Sequence, residues 1–298
     1  MLKVNNYSLN YGEQQVLNNI SFSLDKGKIL GVVGPSGSGK TSLIKGIVGV
    51  YYSDKEDIIF NGEGVYDNSK LKKDIAFVAD ENQSFYLITV KEIISFYKSI
   101  YDNFDEETFY KINKLFKIPL NKRYLQLSKG MKGRVNIMIA FSLKSKLLVL
   151  DEPTSGLDPI LKKTVMTLIR NEILDGEKSV IISSHNLDEI ERVCDEILII
   201  RDGKVEYNNS LENIKKNTRK LQVAFDMPIY EEDLIFDGVT SIKSSGRVFT
   251  IIIEENSLEY LEKLKSFKPL FIEDIDLSLE EIFIHKLSKV GDYEEIFK

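Results

Sequence analysis

The eight residues GPSGSGKT, 34 to 41, restrict what this chain can fold into more than any other stretch. They match G-x-x-x-x-G-K-[ST] in full, and such a loop works only where a strand feeds it and a helix leaves it. Both neighbours are present. KILGVVG (28–34) is an apolar run that stops at glycine, and TSLIKGIVGV (41–50) carries apolar residues at helical spacing. Glycines let successive backbone N–H groups curl around a phosphate, and the following helix adds its positive end. Lys40 is placed to reach the β- and γ-phosphates of a nucleotide, and the Thr41 hydroxyl to meet Mg²⁺.

Two later runs follow the same grammar. KLLVLDEP (146–153) and KSVIISSH (178–185) are apolar strands that end in polar residues. Continuous apolar strands separated by helices predict a parallel sheet covered on both faces, an α/β fold with ligands at the carboxyl ends of its strands. Asp151 then sits where a Walker-B carboxylate holds Mg²⁺, and Glu152 where a side chain can polarise an attacking water. His185 ends its strand on the same side, within reach of a γ-phosphate, while His285 has no companion and receives no role.

Residues 84–145 read as a mostly helical insertion, with Thr89 and Glu92 at capping-box spacing. The rhythm ends near the turn RDGK. Beyond it LQVAFD (221–226), RVFTIIIEE (247–255) and PLFIEDIDL predict strands, and LEYLEKLKSF after Asn256 a helix. SLEEIFIHKL repeats the capping-box spacing at Ser278 and Glu281. The organisation expected is a nucleotide domain over 1–211 and a small α+β domain over 212–298. A net charge of -6 gives no footprint for nucleic acid, and the single Cys194 excludes an internal disulfide. With no signal core and no apolar run long enough for a membrane span, the chain is expected in the cytoplasm, reaching a membrane only through a partner.

LSKGMKGR (127–134) sets a serine and a glycine at a helix start among basic residues. Positive charge there opposes the helix dipole, whereas a free helix start suits an anion. Of these basic residues Arg134 is read as solvated.

Taken in order, these residues resemble the ATP-binding subunits of ABC transporters over roughly residues 1 to 210. Leu127-Ser128-Lys129-Gly130-Met131 looks like a variant of the family's LSGGQ signature, SGLD (155–158) matches its D-loop, His185 its switch histidine and Tyr11 the aromatic that stacks on adenine. The resemblance implies a P-loop NTPase fold in which two such domains, copies or close relatives, bury ATP and Mg²⁺ between them. ATP contacts would come from Tyr11, Gly34, Pro35, Ser36, Gly37, Ser38, Gly39, Lys40, Thr41 and Ser42, and from Ser128, Gly130 and Asp158 facing the partner's nucleotide. Glu152, His185 and Lys40 would carry hydrolysis, with Thr41 and Asp151 at the metal. The family's usual glutamine after the strand IAFVAD is replaced by Asp80, which could ligate the metal and serve catalysis itself, or leave that work to Gln83. The region of Phe85, Tyr86, Ile93, Phe96 and Tyr97 is where the family receives a transmembrane permease subunit, although about half of that cluster is expected to be core.

SLEEIFIHKL and SKGM also resemble the ATPases of ABC-2-type exporters of drugs, lantibiotics and small peptides. The implied protein is an ATPase coupled to export, peripheral on the inner face of the membrane. A soluble ABC ATPase and an ATP-dependent regulatory switch remain the alternatives.

Overall fold

The computed structural model describes residues 1–79, 85, 87–216, 218–254 and 257–281, and the chain divides into two compact units, Met1–Asn208 and a second beginning at Asn209. The first opens with β1 (Leu2–Tyr11), β2 (Gln14–Leu24), β3 (Ile29–Val33), α1 (Lys40–Ile47), β4 (Ile58–Phe60), β5 (Glu63–Gly64), α2 (Ser69–Lys72) and β6 (Ile75–Val78). Helices α3 (Val90–Ile100), α4 (Glu106–Phe116) and α5 (Lys129–Ser142) follow. The unit closes through β7 (Leu147–Asp151), α6 (Pro159–Asn171), β8 (Ser179–Ser183), α7 (Leu187–Val193), β9 (Glu196–Arg201) and β10 (Lys204–Ser210).

Its main sheet has the order β10-β9-β3-β8-β7-β6 and is parallel from β9 to β6. Every residue of β3, β7 and β8 is buried, which is why these strands read as unbroken apolar runs rather than alternating ones. An antiparallel sheet, β2-β1-β4-β5, shares their core: Leu2, Tyr7, Leu17, Ile20 and Phe60 meet Leu43, Ile44 and Ile47 of α1, and Leu30, Val32, Val149 and Ile181 of the parallel strands. Sequence pattern alone hid this second sheet. Pairing of β1 with β2 shifts register between Val4 and Tyr7, where Asn6 takes φ 49°, so the alternation of apolar and polar residues breaks.

In the helical insertion, α3 starts at the expected box: Thr89 Oγ1 accepts from Glu92 N–H at 3.2 Å, and Glu92 Oε2 accepts from Thr89 N–H at 2.7 Å. The aromatic cluster splits. Ile93 is fully buried, and Tyr97 stacks near Tyr101 and Phe104, its hydroxyl pushed up to about 12 by burial. Phe96, 44% exposed, takes Phe85 edge-on at 5.5 Å. Tyr86, Asp80 and Gln83 lie outside the described residues.

The second unit contains α8 (Leu211–Lys216), β11 (Thr218–Ala224), β12 (Val239–Ser245), β13 (Val248–Glu254), α9 (Ser257–Ser266) and β14 (Phe271–Ile275). The sheet order is β12-β13-β11-β14, with every pairing antiparallel. Leu221, Val223, Phe249, Ile251 and Ile253 pack on Tyr260 and Leu264 of α9. Strand β12, VTSIKSS, went unread in the sequence because it is an edge strand whose last three residues are exposed and polar. Ser278 and Glu281 exchange the expected box bonds, at 3.1 and 3.2 Å, whereas Asn256 and His285 lie outside the described residues. Among the described residues no helix is long and apolar enough to cross a membrane.

Candidate functional site

The site follows from register. Ser183 of β8 pairs with Asp151 of β7 on one side and with Val32 of β3 on the other. Chain beyond that row therefore emerges together: the 34–41 loop after β3, Glu152 after β7, and Ser184 and His185 after β8. Strands in such a sheet lie about 4.8 Å apart, so the outer two of these three ends are separated by roughly 10 Å.

The loop is shaped by close approach. A β-carbon at Gly34 would fall 2.2 Å from the Ile200 carbonyl oxygen, and Gly39 begins α1 at φ 105°. Lys40 is 8% exposed, and its Nζ donates to the carbonyls of Gly34 at 2.7 Å and Pro35 at 3.0 Å. Burial pulls its ammonium below the ordinary value, and the nearby Glu152 and Asp151 push it back up. The Ser38 hydroxyl is buried in the same loop and finds no partner among the described residues.

Asp151 is 2% exposed and accepts a 2.6 Å bond from Ser183 Oγ. That hydroxyl in turn accepts from the Glu152 N–H at 2.9 Å. Glu152 sits at φ 49°, a left-handed backbone that costs a non-glycine residue about 1–3 kcal/mol and that clusters at functional sites. Ser183 thus fixes a carboxylate and a strained peptide at once, a role that no sequence motif announced. Burial raises the Glu152 carboxyl above its usual range, and His185 and Lys40 oppose that rise. His185 Nδ1 lies 2.9 Å from Glu152 Oε2, with the His185 side chain 71% exposed.

Ser128 begins α5. Its Oγ accepts from Met131 N–H at 3.3 Å, so the serine caps its own helix while its side chain stays at the surface. Gly130 packs against the D-loop, where a β-carbon would meet the Gly156 carbonyl oxygen at 3.0 Å. Asp158 caps α6, accepting from the N–H groups of Ile160 and Leu161. The reading of Arg134 as solvated is corrected. Its Nε donates to Gly130 O at 3.2 Å and its Nη1 to Phe116 O at 2.9 Å, where the carbonyls ending α4 need donors. Lys132 lies over the Tyr124 ring at 5.7 Å.

Tyr11 ends β1 beside α1. Its hydroxyl is 3.1 Å from Ser42 Oγ, and its ring stands edge-on to Tyr51 with centroids 5.6 Å apart. These strand ends carry a phosphate loop, a buried carboxylate, and a carboxylate–histidine pair, in one row.

Comparison with known proteins agrees. The family model for ABC transporter matches residues 17–155. The lantibiotic transport ATP-binding protein SrtF of Streptococcus pyogenes is 32% identical over 72% of this chain and 95% of its own. The chain belongs to the ATP-binding subunits of ABC transporters. The ABC transporter ATP-binding protein YtrB of Bacillus subtilis (strain 168) is 29% identical over 96% of this chain and 98% of its own, so that similarity runs through both units of this ABC subunit. Among solved structures, an ATP-binding subunit of an ABC transporter aligns with a TM-score of 0.66 at 27% identity, covering 72% of this chain and 92% of that one. The P-loop α/β fold, ATP binding, and ATPase activity coupled to transport follow for this ABC subunit.

The residues fit the nucleotide and its metal. Gly34 leaves no room for a side chain, and the buried Ser38 hydroxyl finds no partner among the described residues. Thr41 and Asp151 offer hard oxygen donors, the chemistry Mg²⁺ selects. Among the described residues no group of three or more His, Cys, Asp or Glu side chains could cage a metal.

Proposed function

We propose that this chain is the ATP-hydrolysing motor of an exporter whose membrane pathway belongs to a separate permease subunit, with the motor held on the inner face of the membrane. Residues 1–211 serve as the ATP-binding domain and 212–298 as an accessory domain. The observation that carries the site assignment is the common end of β3, β7 and β8, where Glu152 and His185 pair at 2.9 Å beside the loop of Lys40.

Hydrolysis converts ATP and water to ADP and phosphate. The loop from Gly34 to Ser42 binds the phosphates, and Tyr11 turns its ring to the adenine. Lys40 exchanges its bonds to the Gly34 and Pro35 carbonyls for phosphate oxygens. Thr41 and Asp151 would hold Mg²⁺, with Asp80 a further candidate, and the ion when bound would supply positive charge beside the transferred group. Glu152 orients the attacking water, in contact with His185 at 2.9 Å. His185 steadies Glu152 and faces the γ-phosphate.

Ser128, Gly130 and Asp158 serve the nucleotide held by a second subunit, a copy of this chain or a close relative. The exposed Ser128 and the left-handed Gly156 beneath Gly130 support a surface made to meet another molecule. Phe96 and Phe85 are the aromatic contact offered to the permease. Export is supported by the likeness of 278–287 to ABC-2-type ATPases.

Steady-state ATPase of the wild type and Glu152→Gln tests the motor. Loss of turnover with ATP-dependent dimers trapped supports it, and equal rates in both proteins refute it. Co-purification from membranes identifies the permease, and the direction in which vesicles carry its substrate decides export.

A further inference from the structure

Behind the reacting groups lies a buried carboxylate that the hydrolysis scheme leaves unused. Glu189, in the first turn of α7, is 8% exposed. Its Oε2 accepts from Thr154 Oγ1 at 2.6 Å and from Ser184 Oγ at 3.3 Å, and its Oε1 from Lys162 Nζ at 3.1 Å. A buried carboxylate persists only when paired and hydrogen-bonded, and three donors meet that need. Each donor belongs to a different working segment. Thr154 follows Glu152 by two residues, Ser184 directly precedes His185, and Lys162 stands on α6, whose first turn is capped by Asp158.

We propose that Glu189 is a positioning residue for ATP hydrolysis, holding the Glu152 segment, the His185 segment and the D-loop helix in one register. The proposal rests on the roles given above to Glu152 and His185. The Ser184 hydroxyl works in both directions: it donates to Glu189 and accepts from the Asn186 N–H at 3.0 Å. Asn186 Oδ1 in turn accepts from the Glu189 N–H at 3.2 Å, closing a ring of bonds around the turn that presents His185. Because Glu152 takes a left-handed backbone, its side-chain direction depends on what anchors the chain after it, and Thr154 is the first side chain there tied to a second element. Loss of the anchor lets Glu152 and His185 drift from their 2.9 Å contact. A misplacement of about 1 Å in a reacting geometry can lower a rate by about 100-fold. Among the described residues no hydrogen bond joins the 34–41 loop to Glu189 or its three donors; the link to β3 is the backbone bond from Ser184 N–H to Val32 O at 3.3 Å, which a change at Glu189 leaves in place, so nucleotide binding is expected to be spared.

The test compares Glu189→Ala, Glu189→Gln and the wild type for kcat, and for affinity toward a fluorescent ATP analogue with Mg²⁺. Glu189→Ala is expected to lower kcat by about 30- to 100-fold with affinity kept within about twofold. Glu189→Gln, which keeps one acceptor oxygen and folds if the alanine variant does not, is expected to recover part of that loss. In a His185→Ala background, the further effect of Glu189→Gln should be smaller than in the wild type, since one of the positioned partners is gone while Glu152 remains anchored through Thr154. Wild-type kcat in Glu189→Gln, a parallel fall in affinity, or a loss of undiminished size in the His185→Ala background overturns the proposal. Glu152→Gln separates the two readings. If Glu152→Gln is inactive while Glu189→Gln and Glu189→Ala both keep wild-type kcat, only the positioning role fails; if Glu152→Gln turns over normally, the underlying assignment fails first.

Discussion

Removing one hydroxyl, by Ser183→Ala, should uncouple the stability of the ATP-binding unit from its simple size. Ser183 is fully buried and makes a charge-assisted bond to Asp151, itself 2% exposed, while accepting from the Glu152 N–H. Alanine fits the space, so the cost is polar rather than steric. A lost bond to a charged group is worth about 1.5–3 kcal/mol, and an N–H left without a partner about 1–3 kcal/mol. These losses share one site and do not simply add, which leaves about 2–4 kcal/mol. At an m-value of about 2–3 kcal/mol/M the urea midpoint should fall by roughly 1 M. The chain has no tryptophan, so far-ultraviolet circular dichroism is the suitable probe. The same hydroxyl anchors the left-handed peptide of Glu152, so kcat should drop by about 10- to 100-fold as the carboxylate loses its aim. A midpoint unchanged within 0.2 M (roughly 0.5 kcal/mol) together with wild-type kcat would refute both halves of the reasoning.

Three other perturbations read separate parts of the structure. Gly34→Ala forces a β-carbon to 2.2 Å from the Ile200 carbonyl, which is backbone and cannot swing away, so ATP binding measured by calorimetry should be lost. Arg134→Met keeps the aliphatic stem but strips the donors from Phe116 O and Gly130 O, and thermal unfolding should show a loss of about 1–2 kcal/mol. Burial, with Asp195 adding to it, holds the Cys194 thiol well above the ordinary range of a free thiol, so mildly alkaline pH leaves it a thiol. Its labelling by a disulfide reagent should therefore stay slow across that range and become fast only in denaturant.

What could be read directly from the chain was local or contiguous. The loop at 34–41 and the boxes at Thr89–Glu92 and Ser278–Glu281 each place their interacting atoms within a few residues, so spacing alone encodes them. Continuous apolar runs likewise betrayed β3, β7 and β8, because burial on both faces leaves no polar position to confuse the pattern. The tertiary structure decided what depends on neighbours distant in sequence. Arg134 looked solvated until α4 brought the Phe116 carbonyl beside it, and Ser183 and Glu189 looked like ordinary strand and helix residues until they met partners 31 to 35 positions away. The edge strand β12 and the bulged β1 escaped notice because their burial is set by the sheets they join. Chemistry carried by one segment can be spelled out in order. Chemistry that needs several segments held at one height exists only once the core has packed, because a hydrogen bond reports distance in space and the sequence records only order along the chain.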